Sequence, residues 1–212
     1  IFNNFNLNKS LIIFAILLIF ILLIIFSVII FIFISKNMTK KTKNGNNMSS
    51  QEVVENVLNI NSYKAKVTVE VQSNKNKNKY ILKQEYNTEN GYIQEVLEPA
   101  NIAGIKITRK DNNLLIENSK LDLKTIFENY EGLENNCLDL YNFINKYKSE
   151  QNSIFEENEQ EIKLKIKSNN NKYQENEILY INREKIIPTK LLVQDNNNNI
   201  TIIIEYNEIE LN

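Results

Sequence analysis

The stretch Lys64–Gln72, KAKVTVEVQ, decides the fold, because its side chains alternate between apolar and polar along the whole segment. Successive side chains of a β-strand point to opposite faces, so a period of two predicts a strand with one buried and one hydrated face. The buried face would carry Ala65, Val67, Val69 and Val71. Strands of this kind are typical of antiparallel sheets that cover a core on one side.

Similar segments follow along the chain and predict about eight or nine strands in total. Asn90-Gly91 indicates a tight turn between two of them, since this dipeptide accepts the positive φ angles of hairpin turns. The pattern returns in the last third of the chain, most clearly in EIKLKIK. Besides the first strand, the predicted strands are Tyr80–Tyr86, Tyr92–Leu97, Ile102–Arg109, Leu114–Glu117, Glu161–Lys167, Glu177–Asn182, Thr189–Gln194 and Ile200–Leu211.

Two segments have the periodicity of helices instead. Ser49 and Glu52 form the S-x-x-E pattern of a capping box, in which each residue satisfies an amide of the other. The apolar face of this first helix consists of Val53, Val54, Val57 and Leu58. A second helix is predicted near Leu133–Lys148, and Leu121–Tyr130 suits either a short helix or a loop. The apolar stripe of the second helix consists of Cys137, Leu140, Tyr141, Ile144 and Tyr147.

Antiparallel strands that are interrupted by helices predict an α+β fold for residues 49–212. We expect a strongly curved antiparallel sheet with the helices on its concave face. Roughly 160 residues suffice for one domain with a sizeable core.

The stretch Leu11–Ile34 contains no charged residue and is bracketed by Lys9 and Lys36. As a helix it would measure about 36 Å, which exceeds the ~30 Å hydrocarbon core of a bilayer. We therefore predict a single-pass transmembrane helix at 11–34, an N-terminal flank at 1–10 and a polar, basic stalk at 35–48. A cleavable signal fits less well, because the apolar run is long and no A-x-A pattern follows it.

The charges near this stretch leave its orientation open. Four lysines follow it and one precedes it, which counted literally favours a cytoplasmic domain, yet long domains often translocate regardless of such charges. All 26 acidic residues lie beyond Met48, so the domain itself is acidic. An acidic domain argues against nucleic acid as a partner, because that binding requires clustered Lys and Arg.

The composition excludes most kinds of catalytic site. The chain has no histidine, four glycines and one cysteine. Ser-His and Cys-His nucleophiles and the usual zinc ligands are therefore missing, and no Gly-rich phosphate loop exists. Cys137 is expected to be a small buried side chain rather than a reactive thiol. The densest acidic group, Glu156, Glu157 and Glu159, is better explained as a solvated loop than as a cation site. We predict no catalytic, cofactor-binding or metal-binding residue.

Several segments have an order and spacing that resemble a known family. EVLEPANIAGI (Glu95–Ile105) resembles an "evl.P.n..G" segment, and KDNNLLI (Lys110–Ile116) resembles the turn that follows it in that family. Two further segments resemble parts of that family, namely the helix end and strand over Leu58–Val71 and the closing IEYN (Ile204–Asn207). The family is the LolA-like lipoprotein-carrier superfamily, and the nearest branch is that of the spore-germination lipoprotein GerS and related proteins.

The resemblance covers about residues 50–212. It implies an incomplete β-barrel with helices inside, and a non-enzymatic role on the extracytoplasmic side. In the germination branch the protein binds and supports a cell-wall amidase, and in the carrier branch it ferries lipoproteins. This chain has no lipobox cysteine near the apolar stretch, so a transmembrane anchor would replace the lipid.

The leading expectation is a membrane-anchored, extracytoplasmic and non-enzymatic binding protein that docks a cell-envelope partner, such as a cell-wall amidase in spore formation or germination. One alternative is a carrier of lipoprotein acyl chains or lipid in the barrel. A further alternative is a carboxylate-based enzyme, which would need two acidic side chains that converge in a pocket.

Overall fold

The computed structural model describes residues 48–73, 75–118, 120–130, 137–150, 153–167 and 173–212. Within these ranges the chain forms two helices and eleven strands. The helices are α1 (Ser50–Leu58) and α2 (Leu140–Ser149). The strands are β1 (Ser62–Gln72), β2 (Lys77–Asn87), β3 (Gly91–Glu98), β4 (Ile105–Lys110), β5 (Asn113–Asn118), β6 (Leu123–Phe127), β7 (Ile154–Glu157), β8 (Glu161–Lys167), β9 (Asn176–Asn182), β10 (Ile187–Gln194) and β11 (Ile200–Leu211).

All eleven strands belong to one sheet, with the order β6-β5-β4-β3-β2-β1-β11-β10-β9-β8-β7. The first six strands run outward from the centre as a meander, and the last five return from the opposite edge to pair β11 with β1. Every neighbouring pair is antiparallel. The described sheet is open, and β6 and β7 are its two edges.

One face of the sheet, here called the inner face, forms the hydrophobic core together with both helices. Val67 of β1 and Leu164 of β8 are fully buried on this face. Helix α2 buries Leu140, Phe143 and Ile144 in the same cluster. Because the side chains of a strand alternate, the opposite, outer face carries the polar residues of the same strands.

Helix α1 begins as the sequence predicts. The backbone amide of Ser49 donates to Glu52 Oε2 at 2.8 Å, and the amide of Glu52 donates to Ser49 Oγ at 3.3 Å. The capping box is therefore confirmed. The predicted apolar face is buried at Val53, Val54 and Val57.

The predicted α+β architecture is wrong. The described residues form one large, open antiparallel sheet of eleven strands with few helices, rather than an incomplete barrel with helices on its concave face. The prediction missed β6, which was expected as a helix or loop, and β7, which was not assigned. Every residue of these two strands is exposed, so neither has the apolar and polar alternation that identifies a half-buried strand.

Two further expectations concern the helices. Helix α2 begins at Leu140 with Asp139 as its N-cap, later than the predicted start at Leu133, and residues 131–136 lie outside the described ranges.

The predicted N-terminal segments also lie outside the described ranges. They are the flank at 1–10, the transmembrane helix at 11–34 and nearly all of the stalk at 35–48. In the part of the chain that the structure describes, neither helix has the length and apolar character needed to cross a bilayer.

Gly91 provides a first testable prediction. Its φ is +72°, and a Cβ at this position would lie 2.1 Å from the carbonyl oxygen of Arg109 on the neighbouring strand. We expect Gly91→Ala to lower the free energy of unfolding by about 1–3 kcal/mol, because both the backbone angle and the contact become strained. Gly104→Ala is the matched control, since φ is also positive there but the nearest atom is 3.5 Å away. Equal losses in urea titrations of the two variants would contradict the prediction.

Candidate functional site at the β6 edge and its charged groove

At the end of the sheet formed by β4, β5 and β6, three successive strands contain no buried residue. The core cluster draws its buried side chains from other parts of the described sheet and from both helices. Nevertheless these strands are rich in large apolar side chains, namely Ile105, Ile107, Leu114, Leu115, Ile116, Leu123, Ile126 and Phe127. Large apolar side chains that remain exposed, as they do on β6, are typical of an interaction site.

The large apolar side chains of this end are most exposed at the β6 edge, which we define as Leu121–Tyr130. Leu121, Leu123 and Ile126 keep 64%, 59% and 57% of their surface exposed, and Phe127 keeps 43%. Strand β6 ends the described sheet, with β5 as its neighbour on one side. An edge strand presents a row of backbone N–H and C=O groups to which another chain can pair.

A groove of about 480 Å³ adjoins the β6 edge. Five of its lining residues come from five adjacent strands and lie opposite one another in register. Their charges alternate from the middle of the sheet to the edge, and we call them the charge row: Lys83, Glu95, Lys106, Glu117 and Lys124. The other lining residues are Glu85, Ile93, Gly104, Asn118, Asp122 and Leu123.

The charges of the groove partly neutralise one another. Lys83 Nζ lies 2.8 Å from Glu85 Oε1, and Lys124 Nζ lies 3.5 Å from Glu117 Oε1. The hydrogen bond between Lys83 and Glu85 raises the pKa of the lysine and lowers the pKa of the glutamate, so both stay charged. Opposite charges that face each other across strands stabilise a sheet by about 0.2–1 kcal/mol per pair. Such a lining suits a polar, charged and extended ligand better than an apolar one.

Asp139 attaches α2 to the sheet and thereby fixes the position of β4. Its carboxylate is fully buried and accepts hydrogen bonds from the Tyr141 amide at 2.9 Å and from the Tyr63 hydroxyl at 3.1 Å. It also accepts an ion-paired hydrogen bond from the guanidinium of Arg109, on β4. The Arg109 guanidinium lies 5.3 Å above the centroid of the Tyr92 ring. We call Asp139, Arg109 and Tyr63 the Asp139 clamp.

Within the Asp139 clamp, the pKa values of Asp139 and Tyr63 are both raised. Burial raises the pKa of Asp139, and the positive charge of Arg109 opposes this rise. Burial, together with the charge of Asp139, raises the pKa of Tyr63 well above its usual value. Tyr63 therefore stays protonated and able to donate to the carboxylate. A buried acid with this many donors holds the helix in one position relative to β1 and β4.

A second polar group lies in the core beside the clamp. Lys146 Nζ is 2.8 Å from Glu177 Oε1, and Glu177 is buried. Among the described residues, three buried atoms have no hydrogen-bond partner, namely Gln84 Oε1, Glu177 Oε2 and the Tyr206 hydroxyl. Burial, and then the charge of Asp139, raises the pKa of Tyr206. The core beneath α2 is thus unusually polar.

The acidic group that the sequence predicts to be a solvated loop is exposed, although two of its residues lie on a strand. Glu156 and Glu157 lie on β7, and Glu159 lies in the turn after it, all exposed. Within the described ranges, no three His, Cys, Asp or Glu side chains are placed to hold a metal ion. That the chain has no catalytic, cofactor-binding or metal-binding residue stays a prediction.

Cys137 lies in the turn before α2 and is 5% exposed. Burial, and then the charge of Glu177, raises the pKa of its thiol to about 12. At pH 8 we expect the native thiol to react with a disulfide reagent about a thousandfold more slowly than the urea-unfolded chain, because its thiolate fraction is smaller by that factor. Stopped-flow absorbance measures both rates, and similar rates would contradict the assignment.

Solved structures resemble this chain in fold. A chain of the complex of the CwlD amidase with the GerS lipoprotein from Clostridioides difficile is 24% identical, with a TM-score of 0.51 over 77% of this chain and 96% of that one. An uncharacterized conserved protein from Thermus thermophilus is 12% identical, with a TM-score of 0.51 over 78% and 88%. The LolA superfamily protein NE2245 from Nitrosomonas europaea is 12% identical, with a TM-score of 0.40 over 78% and 94%.

The predicted resemblance to GerS and its LolA-like relatives is confirmed as a resemblance in fold. At such identities the likeness concerns the fold. A search among curated proteins finds no match. The family model described as "Sporulation protein YdcC-like" matches residues 13–212, which is nearly the whole chain. The chain therefore belongs to the sporulation protein YdcC-like family.

Proposed function

We propose that this protein is a non-enzymatic docking protein of the cell envelope, which binds a partner protein with its β6 edge. The observation that carries the proposal is the end of the sheet at β4–β6, which is rich in apolar side chains and has no buried residue. Large exposed apolar surfaces at the edge of a sheet favour protein association over solvent exposure.

The opposite edge of the sheet suits this role less well. Strand β7 is four residues long and ends in Glu156 and Glu157, whose charges oppose burial. The β6 edge is longer and continuous with the charged groove, since Leu123 and Lys124 belong to both. One binding surface can therefore combine apolar anchors with charge recognition.

A cell-wall amidase of spore formation is the partner that we propose. Membership of a sporulation family supports the process. A fold neighbour occurs in a complex between an amidase and a lipoprotein, which supports the class of partner. The family resemblance supports a site of action at the membrane, on the extracytoplasmic side. Protease treatment of intact protoplasts tests this location, and a domain that is degraded only after lysis would contradict it.

Carriage of an acyl chain, the alternative, is less well supported. The inner face is occupied by Leu140, Phe143 and Ile144 of α2, each at most 1% exposed. The same interior contains the buried charges of Asp139 and Glu177. An apolar chain would have to displace the helix and desolvate these carboxylates, which is costly.

The docking proposal is tested with the full chain in mild detergent and a cell-wall amidase from the same genome. We expect Ile126→Asp to weaken binding at least about tenfold, because a charge would be buried at the centre of the contact. Ile126 is 57% exposed, so the substitution leaves the core intact. The matched control is Ile154→Asp on β7, at 47% exposure. Equal affinities of wild type and both variants in biolayer interferometry would contradict the proposal.

A further inference from the structure

We propose that the partner binds as an added β-strand along β6 and places a carboxylate opposite Lys124. The inference rests on the docking function proposed above and specifies the chemistry of the partner. The occupant is an extended segment of a partner protein that is both apolar and acidic.

The charge row carries the electrostatic part of the inference. Its signs alternate over five strands, and the row ends at the sheet edge with Lys124, whose side chain is 61% exposed. Glu117 lies on one side of Lys124, on β5, and the position on the other side belongs to the next strand. A carboxylate at that position continues the alternation. A lysine or arginine would face a like charge, and a large apolar side chain would desolvate the ammonium.

The alternating directions of the side chains along β6 determine which residues the partner strand needs on either side of its carboxylate. Lys124 and Ile126 point to the outer face, whereas Leu123, Thr125 and Phe127 point to the inner face. An antiparallel strand would meet Phe127 first and Leu123 last. It would need apolar residues opposite Phe127 and Ile126, a neutral residue opposite Thr125, an acid opposite Lys124 and an apolar residue opposite Leu123.

Lys124 would also determine which partner strands can pair with β6. Lysines on edge strands oppose indiscriminate pairing with other sheets, because their charge would be buried without a partner. A strand that supplies a carboxylate removes this penalty, whereas other strands do not. The same lysine thus provides both attraction to the right partner and rejection of wrong ones.

A second copy of this chain is the competing occupant, since β7 reads Ile-Phe-Glu-Glu and would bring Glu157 opposite Lys124. Such pairing joins the β7 edge of one copy to the β6 edge of the next. This head-to-tail contact does not close on itself and leads to open assemblies. In addition, β7 spans four residues, fewer than the five of β6. A separate partner fits better.

The test uses the full chain in mild detergent and a blocked peptide that reads valine–isoleucine–threonine–glutamate–valine between flanking threonines. Its twin has lysine in place of glutamate. In fluorescence anisotropy we expect the wild type to bind the glutamate peptide about fivefold more tightly than the lysine peptide. Lys124→Glu should invert this preference, which a merely misfolded variant cannot do. Lys66→Glu, on the outer face of the central strand β1, is the control and should keep the wild-type preference.

Three results would overturn the inference. The first is equal binding of both peptides, and the second is binding of neither. The third is concentration-dependent self-association that Glu157→Lys abolishes, which would assign the β6 edge to a second copy. If Ile126→Asp still weakens amidase binding while the peptides show no preference, docking stands and strand addition is rejected. If amidase binding is also insensitive to Ile126→Asp, both proposals fail.

Discussion

Replacing Asp139 with alanine is expected to lower the free energy of unfolding by about 3–5 kcal/mol, the usual cost of removing one partner of a buried ion pair. The variant leaves the Arg109 guanidinium without its buried carboxylate and removes the acceptor of the Tyr63 hydroxyl. It also removes the N-cap of α2, which alone is worth about 1 kcal/mol. Urea titration followed by circular dichroism measures the loss.

Two further substitutions divide this effect into parts. Tyr63→Phe removes a single hydrogen bond of the Asp139 clamp and should cost about 1 kcal/mol. Asp139→Asn keeps an oxygen for the cap but loses the charge, so its cost should lie between the other two. An Asp139→Ala protein that unfolds within about 1 kcal/mol of the wild type would show that the clamp does not hold the helix to the sheet.

Phe143→Ala should destabilise the domain by about 3–5 kcal/mol, the range for truncating a buried phenylalanine. The Phe143 ring is 1% exposed and lies in the core between α2 and the sheet, with its centroid 6.1 Å from that of Tyr147. Alanine would leave a cavity that the backbone of a packed helix cannot close. The free energy of unfolding from urea titration is again the observable.

Phe155→Ala is the matched control for this change, because Phe155 is 42% exposed on the edge strand β7. Its removal deletes the same atoms without opening a cavity and should cost less than about 1 kcal/mol. If both phenylalanine variants lost the same free energy, burial would not explain the stability of the α2 contact.

Local patterns in the sequence predict the strands that have one buried face. The alternation in β1 and β8 and the capping box of α1 all correspond to structure, because each depends on residues that are close along the chain. Strands β6 and β7 were missed for a physical reason. Both faces of these strands are exposed, so burial imposes no period on their sequences.

The candidate site depends on contacts that the sequence does not encode locally. The charge row places one residue from each of five strands side by side, and this juxtaposition requires the register of four strand pairs. Tyr63 and Asp139 are 76 positions apart, although they share a hydrogen bond. One local signal was available, since an aspartate directly before an apolar helix favours an N-cap at Asp139.

Hydrogen–deuterium exchange of the full chain, with and without the amidase, tests the central claim most directly. If the partner docks at the β6 edge, the amides of Leu123–Phe127 should exchange at least about tenfold more slowly in the complex, because edge groups become hydrogen-bonded or shielded. The amides of Ile154–Glu157 on the opposite edge should keep their rates. Unchanged exchange in β6 together with protection of β7 or α1 would contradict the account.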